Sequence, residues 1–142
     1  MTTWPVGSCF HEAGHAVVAA ALGLQVGDLH VNADDRSGGA DVGCPGRLPF
    51  IDQVALCFAG LEAQNIWHCR SEHLAGGDDH RIFFDLVRGL PDDWRDAFRK
   101  LGYERANDLL CKNKHVVEVI AQQLIERGRL TAADFKHLTD AD

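Results

Sequence analysis

A mostly α-helical fold with a small β-sheet between the first two helices is what this chain of 142 residues predicts. Three observations lead there. Apolar residues recur at three- and four-residue spacing through most of the chain. Short β-compatible runs broken by Gly, Asp and Ser cluster in residues 26 to 46. The apolar share of 46% and charged share of 25% are those of an ordinary globular domain, long enough to bury a core without disulfides, so residues 1–142 read as one domain.

The first helix spans about Val6 to Leu22, where His11, His15, Val18 and Leu22 form one row; Gly23 ends it because it tolerates the left-handed conformation. Leu29 to Val31 and Ala40 to Val42 read as two strands joined by a turn. Val54, Phe58, Leu61 and Asn65 mark a second helix from Pro49 to about Trp67, with Pro49 suited to the first turn. "HLAGGDDHRIFFDLVRGLP" reads as a glycine hinge and then a helix opened by acidic residues and closed before Pro91. Trp94 to Leu110, Lys114 to Arg127 and Ala132 to Leu138 give three more helices, the last opened by "TAAD" with a side-chain cap.

Composition narrows the function. Fourteen Lys and Arg against twenty-one Asp and Glu give a net charge of −7 with no basic concentration, which argues against a nucleic-acid partner. The longest apolar stretch, Ala16 to Leu24, is about half a membrane span, and no signal-peptide pattern is visible, so a cytoplasmic protein without a membrane span is expected. Cys9, Cys44, Cys57, Cys69 and Cys111 are odd in number and form no CxxC pair; reduced, mostly buried thiols follow. Trp4, Trp67 and Trp94 read as core or interface anchors, and His68 and His73 as surface residues.

The chemistry lies in "FHEAGHAVV". Four residues on a helix advance about 400°, so His11 and His15 point the same way and can close on one ion at roughly 2.0 to 2.1 Å. Glu12 lies about 100° round from His11, beside such an ion, where it can act as general base on a water. The surrounding Ala13, Gly14, Ala16 and Val17 are small or apolar, so the histidines belong to a buried helix and need a partner. A catalytic zinc needs a third protein ligand. A histidine six residues after His15 is excluded, since Ala21 stands there. Asp34, Asp35, Glu62, Glu72, His73, Asp78, Asp79 and His80 remain, with Asp78 suited to capping and Asp79 to reaching inward from a first turn. Cys9 points elsewhere on the helix.

Several strings together resemble the zinc peptidase domain of the FtsH-type AAA proteases. "HEAGHAVV" is similar to that family's HEAGH helix, "AGLEAQ" at Ala59 to Gln64 to its "GGR-x-AE" patch, and "AGGDD" to its "G-A-S-N-D" run. "RANDLLCKNKHVVEVIAQQLIERGRLTAADFKHL", Arg105 to Leu138, is similar to its C-terminal helices. The resemblance implies a helical zincin-like fold, Zn2+ held by His11, His15 and Asp79, Glu12 as general base, and hydrolysis of peptide bonds in a peptide or unfolded protein substrate. No counterpart of the family's phosphate-cradling GxxxxGK[ST] loop is visible, so an ATP-independent enzyme is expected, with a homo-oligomer or a separate ATPase as open partners. The expected cleft lies between the first helix and the sheet, with Leu29 to Val31 as an edge strand that pairs with substrate. Two other readings of the same residues are a non-catalytic, zinc-stabilised adaptor and a zinc hydrolase of non-peptide amides.

Overall fold

The computed structural model describes residues 3–69 and 77–140. Among them the order is α1 (Val6–Ala21), β1 (Val26–Val31), β2 (Gly38–Val42), α2 (Phe50–Ile66), α3 (Gly77–Leu86), α4 (Asp92–Lys112), α5 (Lys114–Arg127), β3 (Arg129–Leu130) and α6 (Ala132–Asp140). The protein is mostly helical with a small antiparallel sheet, as its periodicity implies. Gly23 takes φ 87° just beyond α1, the conformation for which a glycine stop is suited. Pro49 stands at the cap of α2, one residue earlier than the first-turn position expected of it.

The sheet carries a strand that lies outside the segment between α1 and α2. Its order is β2-β1-β3, both pairings antiparallel. Gly128 closes α5 at φ 73° and reverses the chain, so Val31 N–H donates to Gly128 O at 2.9 Å and Leu130 falls opposite Leu29. Two residues are too few to show an alternating pattern in sequence. A consequence corrects one expectation: Leu29 to Val31 lies in the central strand, paired on both sides, and the edge strand beside α1 is β2.

Two cores position the helices. The larger gathers Ala13, Val17 and Val18 of α1, Leu29 of β1, Ile120 and Leu124 of α5 and Leu130 of β3. Small residues let α1 and α2 cross closely: a Cβ added at Gly14 would stand 2.7 Å from Ala59 O and from Ala63 Cβ. The smaller core joins Val54, Cys57 and Phe58 of α2 to Phe83 of α3 and to Val87 just past its end. Phe58 also stacks on Tyr103 of α4 at 4.4 Å between ring centroids. Polar ties add to this: Arg105 donates to Asp52 at 2.9 Å and Asn107 to Glu62 at 2.9 Å, which holds α4 against α2.

At α6, Thr131 and Asp134 cap reciprocally, Asp134 N–H donating to Thr131 Oγ1 at 3.1 Å and Thr131 N–H to Asp134 Oδ2 at 3.0 Å. Aspartate thus fills the place of the Glu or Gln usual in a capping box. All five cysteines are free. Cys9 and Cys57 are buried but Cys44 and Cys111 are exposed, so burial of the thiols is less general than composition implies. Trp67 stacks on Phe10 at 5.2 Å, while Trp94 is 57% exposed and so is no core anchor. Among the described residues, no helix is long and apolar enough to cross a membrane.

Candidate metal centre

His11 and His15 leave α1 one turn apart and meet Asp79, which the small core brings in from the first turn of α3. Asp79 Oδ2 lies 3.0 Å from His11 Nε2 and 3.2 Å from His15 Nε2, and the two Nε2 atoms are 3.2 Å apart. The three ligand atoms therefore form a nearly equilateral triangle. Tetrahedral bonds of 2.0 to 2.1 Å separate neighbouring ligand atoms by about 3.3 Å, so the triangle is the size of one face of a zinc coordination tetrahedron.

The outward nitrogens of both rings are already committed. His15 Nδ1–H donates to the carbonyl of Leu56 at 3.0 Å, and a carbonyl can only accept. His11 Nδ1–H donates to Gln64 Oε1 at 2.7 Å, and Gln64 is itself buried at 3% exposure. Each neutral imidazole is thereby fixed in the tautomer that presents a bare Nε2 lone pair. Two such lone pairs and a carboxylate oxygen within 3.2 Å repel one another unless a cation or a proton lies between them. That donor set, two imidazoles and one carboxylate with an open side, suits Zn2+.

Electrostatics follow the same geometry. Burial alone would raise the Asp79 carboxyl, but in the metal-free site, where a proton takes the place of the cation between the Nε2 atoms and the carboxylate, hydrogen bonds from the two imidazoles hold it well below the usual carboxylate range. Burial works to lower His15, yet the hydrogen bond and charge of Asp79 leave it above its ordinary value. Glu12 is only 8% exposed, and burial raises its carboxyl, with His15 and His11 opposing. Cys57, behind Asp79, is pushed up to about 12 by burial and by that carboxylate, so its thiol stays protonated at neutral pH.

The chain matches no protein-family model and no curated protein. Its own geometry is what bears on the site.

His11, Glu12, His15 and Asp79 line one cavity of about 320 Å3 together with Gly38, Gly39, Ala40 and Val42 of β2, Leu56 of α2 and Ile82 of α3. The cleft thus opens between α1 and the sheet, as expected, with α2 and α3 as further walls. The other ligand candidates lie elsewhere. Asp35 accepts from Ser37 N–H at 3.0 Å in the β1–β2 turn, where Asp34 is exposed. Glu62 is engaged by Asn65 and Asn107, and His80 is exposed against Phe58. Asp78 is exposed in the first turn of α3 and pairs with Arg81 at 3.3 Å, which replaces the capping role expected of it. Glu72 and His73, and most of the glycine hinge, fall outside the described residues. Gln64 is the residue that sequence reasoning placed only in a small-residue patch. Its spacing from the motif holds no signal, because the contact spans 53 positions.

Gln64→Ala should weaken zinc affinity by roughly 10–100-fold, because His11 loses the acceptor that fixes its tautomer. Chelator competition measures this, and an unchanged affinity would show that Gln64 only packs.

Proposed function

We propose that the chain is a zinc-dependent, ATP-independent metallopeptidase of the FtsH peptidase type, acting on extended peptide or unfolded protein. The observation that carries this reading is the committed tautomers: the Nδ1 protons of His11 and His15 go to Gln64 and Leu56, leaving both Nε2 atoms facing Asp79 with Glu12 alongside. His11, His15 and Asp79 would hold the zinc, which when bound supplies Lewis acidity to a substrate carbonyl and lowers the pKa of water.

Glu12 takes one proton from the attacking water as its oxygen bonds to the scissile carbonyl carbon. It returns that proton to the departing nitrogen as the C–N bond breaks, which leaves a free carboxyl end and a free amine end. The raised carboxyl of Glu12 helps it hold the proton between the two transfers. Gln64 and Leu56 keep both imidazoles oriented meanwhile.

The substrate strand has a place to pair. Asn32 N–H donates to Ser37 O at 2.8 Å, and the register Val31↔Gly38, His30↔Gly39, Leu29↔Ala40 then directs the backbone of Gly39 towards β1. Gly38 and Ala40 consequently turn their N–H and C=O groups to the outer edge, which borders the cavity. Backbone pairing there would hold peptides with little regard to their sequence. Ala40→Pro, which removes an outward donor, should lower kcat/KM about 2- to 10-fold with zinc content intact. A proline at His30 would instead remove a ladder bond of the central strand and destabilise the sheet.

Metal analysis and a peptide assay on purified protein test the reading together. About one zinc per chain with ATP-independent cleavage of an unstructured peptide supports it. Zinc without cleavage supports the adaptor, and absence of zinc binding sinks both. A cytoplasmic location belongs to the same proposal.

A further inference from the structure

We propose that Gly38 and Gly60 are positioning residues that seat two different members of the motif, Gly38 the Glu12 carboxylate and Gly60 the His11 ring. The inference rests on the zinc peptidase reading for the roles of those two side chains, and on steric geometry for the rest.

A Cβ built on Gly60 of α2 would stand 2.6 Å from His11 Cδ2, 2.6 Å from Nε2 and 2.7 Å from Cε1. The imidazole therefore lies face-on over a bare Cα. It has no slack to retreat, because Gln64 Oε1 holds its Nδ1 at 2.7 Å. A methyl at position 60 must push the ring, and Nε2 with it, away from the meeting point with His15 and Asp79. Gly38 makes the matching contact across the cleft. Its Cβ would stand 2.8 Å from Glu12 Oε2, 3.0 Å from Glu12 Cγ and 2.8 Å from the carbonyl oxygen of His30. That carbonyl belongs to the central strand and yields little, whereas the carboxylate is the end of a rotatable side chain. The methyl would thus displace Glu12 and also press β2 away from the His30 carbonyl, while the three atoms nearest to it include none of His11, His15 or Asp79. Gly14 is a different case, since the atoms nearest its Cβ would be those of Ala59 and Ala63, and it reports on helix packing.

The two glycines predict separable losses. Zinc affinity by chelator competition, kcat and KM on an unstructured peptide, and the thermal midpoint of the metal-free protein would be measured on Gly38→Ala, Gly60→Ala and Gly46→Ala. At exposed Gly46 an added Cβ would meet nothing within 4 Å among the described residues, so that variant is the reference. Gly60→Ala should weaken zinc roughly 10–100-fold. Gly38→Ala should keep the zinc affinity of the Gly46→Ala reference and lose kcat roughly 10–100-fold with little change in KM. In a Glu12→Ala background, which lacks both the Cγ and the carboxylate that the methyl meets, Gly38→Ala should lower the residual kcat little further, a non-additivity that packing alone does not produce. Should Gly60→Ala fail to fold, adding His11→Ala removes the ring in its way and should restore folding. Wild-type kcat in Gly38→Ala, wild-type zinc affinity in Gly60→Ala, equal losses of both quantities in both variants, or no rescue by His11→Ala would each overturn the assignment. A wild type that binds zinc and cleaves nothing defeats the peptidase reading and the Gly38 half with it, while the Gly60 half still stands or falls on affinity.

Discussion

Glu12→Gln is expected to abolish peptide cleavage while zinc stays bound at the wild-type stoichiometry. The amide matches the carboxylate in size but cannot accept a proton from water, and general acid–base catalysis of this kind contributes roughly 10²- to 10⁴-fold. Metal binding should be spared, because Glu12 is not among the atoms that meet at Asp79. Stability should not fall either. Glu12 is buried, and burial has raised its carboxyl, so ionised Glu12 opposes folding at neutral pH and a neutral amide removes that opposition. Peptide turnover, zinc content and the thermal midpoint read these three outcomes separately; cleavage within tenfold of wild type would remove Glu12 from the mechanism.

Asp79→Ala should have the opposite signature, loss of zinc ahead of everything else. It removes one of three ligand atoms, so the affinity loss should exceed the roughly 10–100-fold expected for removing a supporting hydrogen bond. The metal-free protein carries a second signature in its pH dependence. His15 is raised above its ordinary 6.5, so its contribution to stability is full below that pH and is lost as pH rises through its folded value. Asp79 is depressed below 3.8, so its contribution is present above that pH and is lost as pH falls through its folded value. Together they stabilise the metal-free fold most between about pH 4 and 6.5. Raised Glu12 also favours lower pH, but it is present in both proteins and largely cancels in a comparison. Thermal unfolding in chelator across pH should show the advantage of wild type over Asp79→Ala only in and near that window. Parallel curves for the two proteins would mean that the three side chains are not coupled.

The sequence made much of this site legible because its first part is local. His11, Glu12 and His15 share a helix face by spacing alone, and Asp79 could be picked out at a helix start after a glycine pair. Helix positions were readable for the same reason, since a 3.6-residue repeat is written within each segment. What stayed hidden depends on distant parts of the chain. The contact of Gln64 with His11 and that of Leu56 with His15 depend on how closely α2 crosses α1, which no local pattern records. The edge of the sheet lies on a different strand from the one local pattern implies, because β3 has two residues and arrives from the other side of α5. Asp78 and Asp79 are equivalent in composition, and only the packing of Phe83 and Val87 on α2 turns one inward and leaves the other in solvent.

β3 also sets an order of assembly. During synthesis His11, Glu12 and His15 emerge first and Asp79 later, yet β1 keeps an open side until Arg129 and Leu130 arrive. The wall that borders the cavity is then a hairpin lacking its third strand, and isolated two-stranded hairpins are marginal in water. A nascent chain paused before residue 129 would own every ligand atom and still lack the finished rim, so completion of the cleft waits on a late, long-range closure.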